Sequence, residues 1–71
     1  MHRAMKAQPN QPGDEQLLRI GAVIQKTGMA RSTIYKKIRS EEFPRPLVIA
    51  KRLVAWRQSE INSWINSLKN L

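Results

Sequence analysis

The chain has 71 residues with 13 Lys and Arg against 5 Asp and Glu, a formal net charge of +8 and a sequence pI of about 11.0. That length holds one small domain, and a domain of that size buries only about 60% of the surface its unfolded chain exposes. With no cysteine and a single histidine, His2, disulfides, zinc–thiolate sites, thiol nucleophiles and Ser–His–acid triads are excluded or nearly so. The balance favours a small binding module over an enzyme, with no cofactor.

The first sixteen residues read as a flexible tail. They are polar, carry two prolines and a glycine, and offer nothing to bury. The basic start Met1–Lys6 runs into Gln8-Pro9-Asn10-Gln11-Pro12-Gly13 rather than the apolar stretch of a secretory signal. The longest apolar runs span four residues, far short of the roughly 20 that cross a bilayer. The expected compartment is therefore the cytoplasm, with no membrane partner.

Order is expected from residue 17 to residue 71. Leu17-Leu18-Arg19-Ile20 reads either as a strand edge or as a hydrophobic staple. A short helix follows over about Gly21–Lys26, broken at Thr27-Gly28-Met29, where Gly28 can take positive φ without a Cβ penalty. Met29 reads as core filler in this turn. A second helix runs over about Ala30–Glu41. At about 100° per residue, Ala30, Ile34 and Ile38 share a narrow face, with Ser32, Tyr35, Lys36 and Arg39 opposite and Arg31 at the border. Thr33 and Lys37 point further round, towards the surface.

Phe43-Pro44-Arg45-Pro46 stops that helix and enforces an extended path. The β-branched runs Leu47–Ile49 and Leu53–Trp56, separated by Ala50-Lys51-Arg52, predict a hairpin with a basic tip. A last helix begins near Ser59, a good N-cap. Ile61, Trp64, Ile65 and Leu68 fall at i, i+3, i+4 and i+7, so this helix buries one stripe. The expected fold is mainly α with a small β-hairpin. It is a winged helix-turn-helix of three helices plus a wing, with the second helix holding its basic face outward.

Residues 31–57 hold eight basic and two acidic residues, so +6 of the net charge lies in that stretch. Such a surface attracts a polyanion, and counterion release from phosphates drives the binding. The plainer reading is a solvated face that keeps the chain soluble. With the helix-turn-helix spacing added, the partner is double-stranded DNA and the contact set is Arg31, Ser32, Tyr35, Lys36, Arg39, Arg45, Lys51, Arg52 and Arg57. Arg31 sits at the helix start, where a guanidinium can read guanine O6 and N7. Lys36 and Arg39 are phosphate ligands that position without specifying. Tyr35 either contacts DNA or packs against the wing. Lys51 and Arg52 reach the minor groove or a flanking phosphate, and also protect a hairpin edge. Arg45, held between two prolines, clamps phosphate, and Arg57 either does the same or caps the hairpin's end. Trp56 and Trp64 belong to the core rather than to base stacking. Glu41 and Glu42, about 100° apart on a helix, do not share a site.

From Leu17 to about Lys69 the chain resembles the AlpA-type phage regulators. The likeness rests on Gly28–Tyr35, Phe43–Pro46, Arg52–Arg57, Ser59-Glu60-Ile61 and Trp64-Ile65. The resemblance implies a winged-helix transcription regulator of a prophage or mobile element, akin in architecture to MerR-type domains and excisionases. It leaves open a recombination directionality factor that bends DNA for an integrase. An RNA- or protein-binding module is the rival of another class. A module this small also implies a second copy on a neighbouring half-site, or a partner protein such as an integrase on an adjacent site. Three positions depart from the family pattern. Ala30 replaces a capping serine, leaving the helix start either frayed or capped by Ser32. Glu41 replaces a helix-ending glycine, and Ala50 a small turn residue.

Overall fold

The structure is a computed structural model that describes residues 15–71. Residues 1–14, most of the expected tail, lie outside the described residues. The elements run β1 (Leu17–Leu18), α1 (Ile20–Thr27), α2 (Arg31–Arg39), β2 (Leu47–Ala50), β3 (Leu53–Arg57) and α3 (Gln58–Asn66).

The expected hairpin is part of a larger sheet. β3 is central, antiparallel to β1 on one side and to β2 on the other. Leu17 faces Arg57 and Leu18 faces Trp56, so the Leu17–Ile20 stretch is a strand edge leading into α1. The two-residue loop Lys51-Arg52 joins β2 to β3, and the register slips between Val48 and Ala50. Glu41 is the one described non-glycine residue with positive φ, so this turn is not of the I′ or II′ type that matches strand twist. The irregularity at Ile49 takes up the mismatch. It also explains why Ala50 is tolerated beside the turn: no left-handed residue is needed there.

Eight apolar side chains form the core: Leu18, Val23, Ile34, Ile38, Phe43, Ala55, Trp56 and Ile61. Each element from β1 to α3 except β2 contributes at least one. β2 is half-exposed at Leu47 and open beyond it, with Val48 77% exposed. Trp56 is fully buried, and its indole Nε1–H donates to the Pro44 carbonyl oxygen at 2.9 Å. Trp64 is half-buried, with Phe43 edge-on to its ring at 4.8 Å and the Glu42 carbonyl accepting its Nε1–H at 2.8 Å. Two indoles thus pin the 42–44 linker, each ring N–H finding a carbonyl partner as amphipathic rings tend to.

Both helix ends around the α1–α2 turn are explicable. Gly28 has φ 74° and its N–H reaches the Ile24 carbonyl at 2.8 Å, a left-handed stop to α1. α2 begins after Ala30, which is extended and supplies no side-chain cap; Ser32 supplies none either. At the other end Glu41 takes φ 63°. Its N–H meets the Ile38 carbonyl at 3.0 Å, and the Glu42 N–H meets the Lys37 carbonyl at 2.7 Å. These two bonds make a Schellman motif with a glutamate in the glycine position.

The start of α3 differs from expectation. Its N-cap is Arg57, not Ser59, and no N-cap side chain bonds the helix. Glu15 does so instead. Its carboxylate accepts the Ser59 N–H at 3.1 Å and the Ser59 hydroxyl at 2.6 Å, while the Gln16 carbonyl accepts the Gln58 N–H at 2.8 Å. Two donors that a helix leaves unsatisfied are therefore met by residues assigned to the tail on sequence. The Ser59 hydrogen bonds, with Arg57 nearby, hold the Glu15 carboxyl below its usual range. Leu68 also departs from expectation. α3 stops at Asn66, where the Ser67 hydroxyl bonds the Trp64 carbonyl, and Leu68 lies outside the helix at 57% exposure.

Candidate nucleic-acid interface

α2 carries cations on the face opposite its buried one. Ile34 is fully buried and Ile38 is 9% exposed, which fixes the inward face. Ser32, Lys36 and Arg39 are exposed and fall within an arc of about 60° on the far side of the helix. Arg31 is exposed at the first position, beside the uncapped N–H groups of the first turn. With its side chains a helix is about 10–12 Å across, which the roughly 12 Å width of a B-DNA major groove admits.

The flanks of α2 are partly buried. Thr33 and Lys37 are half-buried rather than surface residues. The Lys37 ammonium lies 3.8 Å from the Glu42 carboxylate, and Glu42 also accepts the Ser40 hydroxyl at 3.1 Å. Tyr35 is half-buried with its ring 6.5 Å from that of Trp56 at 57°, so the body of Tyr35 packs on the central strand.

The remaining cations come from the linker and sheet. Arg45 is exposed between the half-buried Pro44 and Pro46, on a segment that the Trp56 hydrogen bond anchors. Lys51 and Arg52 are exposed at the hairpin tip, and Arg57 is exposed where β3 passes into α3. Every one of the nine residues singled out on sequence is accessible at least in part. Glu41 and Glu42, expected to stay apart on a helix, both lie past its end and line one groove. Among the described residues no three His, Cys, Asp or Glu side chains are grouped to hold a metal ion, and no helix is long and apolar enough to cross a membrane.

Three helices with a three-stranded antiparallel sheet, the cationic helix facing out, are compatible with a winged-helix-like fold. Residues 16–69 match the model of the family described as Prophage CP4-57 regulatory protein (AlpA). The chain is 41% identical over 51 residues to Uncharacterized protein ORF88 of Enterobacteria phage P4, covering 72% of this chain and 58% of that protein. It is 39% identical over 56 residues to DNA-binding transcriptional activator AlpA of Escherichia coli (strain K12), covering 70% of this chain and 80% of that protein. The chain belongs to the AlpA family of prophage regulatory proteins.

Proposed function

We propose that this chain is a sequence-specific duplex-DNA-binding regulator, a winged helix-turn-helix whose α2 enters the major groove. The observation that carries the reading is the split of α2: Ile34 and Ile38 are held in the core while Ser32, Lys36 and Arg39 share the opposite, open face. Membership of a prophage regulatory family supports it, as does a relative that carries the name of a DNA-binding transcriptional activator. In this reading α1 and α2, joined through Gly28, are the helix-turn-helix. Arg31 and Ser32, at the open end of α2, read base edges, and the Tyr35 hydroxyl adds a polar contact beside them. Lys36 and Arg39 hold phosphates. The β2–β3 hairpin is the wing, with Lys51 and Arg52 on the flanking backbone, and Arg45 and Arg57 clamp phosphates on either side. The binding unit begins at Glu15, two residues before the limit set on sequence, because Glu15 and Gln16 secure α3.

One such module covers about 600–1,000 Å² of DNA-facing surface, so a second copy on a neighbouring half-site completes the affinity. Fluorescence anisotropy with a selected duplex and a structured RNA hairpin, across a salt series, tests the reading. Duplex is expected to win at every salt concentration. The slope of log K against log salt is expected near −0.9 for each phosphate held, about −5 for the six cations assigned to the backbone. Equal affinity for the hairpin, or a flat salt dependence, overturns it.

A further inference from the structure

A shallow groove of about 710 Å³ lies between the end of α2 and the face of α3. Its apolar lining is Phe43, Pro44 and Trp64. Trp64 and Pro44 are half-exposed, with the nearly buried Phe43 beside them. Ser59, Ser63 and Ser67 run along the α3 side at intervals of one turn. Three carboxylates complete the lining, from Glu41, Glu42 and Glu60.

The charge distribution is uneven to a degree that composition hides. The described residues contain four acidic side chains, Glu15, Glu41, Glu42 and Glu60. Three line this groove, and the fourth hydrogen-bonds Ser59 on its wall. None of the described lysines or arginines lines it. Glu42 is shared with Lys37, while Glu41 and Glu60 have no ion-pair partner among the described residues.

We propose that this groove docks a lysine- or arginine-bearing segment of a partner protein. A cation there meets carboxylates that form charge-assisted hydrogen bonds. The half-exposed Trp64 ring offers a cation–π face, and the aliphatic stem of a long basic side chain packs along Pro44 and the indole. The serine hydroxyls accept and donate to a bound backbone. A neutral apolar segment would desolvate the carboxylates without pairing them, and phosphates are repelled. The carboxylates are not grouped for a metal ion, which fits an extended occupant instead. The groove shares no residue with the proposed DNA contacts, so the inference does not depend on that reading.

The test uses the full 71-residue chain without DNA, ¹⁵N-labelled, titrated at low salt with a blocked octapeptide alternating arginine and alanine. The Trp64 indole N–H signal and the Ser63 and Ser67 amides are expected to shift saturably, with the buried Trp56 indole unmoved. Combining Glu41→Gln with Glu60→Gln is expected to weaken binding at least fivefold. Duplex affinity of that variant should be no weaker than the parent's, which separates this outcome from failure of the DNA reading. The matching glutamate–alanine peptide should shift nothing. The proposal is overturned by the absence of a saturable shift, by a shift that the double variant leaves intact, or by an equal response to the acidic peptide. It is equally overturned if the groove signals of the free chain depend on protein concentration, or move on removal of residues 1–14. Those results would assign the groove to a second copy or to the chain's own start.

Discussion

Replacing Glu41 by glycine should stabilise the fold. Glu41 has φ 63° at the close of the Schellman motif, and a left-handed L-residue costs about 1–2 kcal/mol. Its side chain is exposed and has no ion pair among the described residues, so removing it forfeits no visible contact. Glycine enlarges the entropy of the unfolded chain by about 0.4–1 kcal/mol, which offsets part of the gain. Removing a negative charge from a helix C-terminus restores a few tenths of a kcal/mol. The net is about 1 kcal/mol, and in a domain of this size that raises Tm by about 4–8 °C. Thermal unfolding followed by far-UV circular dichroism measures it, with Glu41→Ala as the control that removes the charge but keeps the Cβ. Glu41→Gly should rise by that amount, and Glu41→Ala by no more than the small charge contribution. A fall for glycine, or an equal rise for both, would show that backbone strain at this position is not the cause.

Three further perturbations bear on the same framework. Ala30→Ser restores a hydroxyl at an extended N-cap that now supplies none; a gain of about 1 kcal/mol is expected in urea unfolding. Trp56→Phe removes volume from a fully buried site and leaves the Pro44 carbonyl without its indole donor; a loss of about 2 kcal/mol is expected by the same measurement. The Glu15 carboxyl titrates below its ordinary value because Ser59 bonds its charged form. A depressed folded-state pKa gives stability that is full above the ordinary value of 4.5 and is lost as pH falls through the lower folded value. Urea midpoints of the parent and Glu15→Gln should therefore differ at pH 7 and converge as pH drops below 4; a constant gap would refute the α3 clamp.

Much of the site was legible because α2 announces itself locally. Ile34 and Ile38 repeat at one turn, which sets the inward face and leaves Ser32, Lys36 and Arg39 to the outer one. The hairpin was equally plain from its β-branched runs. What escaped the sequence was set by distance. Glu15 reaches Ser59 across 44 positions, and nothing in a polar, proline-bearing segment signals that bond. Leu17-Leu18 is too short to distinguish a strand from a staple until β3 is seen beside it. Leu68 continued the α3 periodicity on paper, yet the Ser67 hydroxyl competes for the Trp64 carbonyl where the helix stops. The groove was hidden for a related reason: the 100° argument that separated Glu41 from Glu42 holds within a helix, and both residues lie beyond its end.

Selection of bound duplexes from a random pool, run on the parent, Arg31→Ala and Lys51→Ala, tests the outward helix most directly. The parent should enrich a defined site. Arg31→Ala should relax preference at one or two base pairs, losing about 1–3 kcal/mol of discrimination there, whereas Lys51→Ala should weaken all sequences alike and reduce the salt slope by about 1. Enrichment of no site by the parent, or loss of base preference on changing Lys51 but not Arg31, would contradict the assignment of α2 as the reading element.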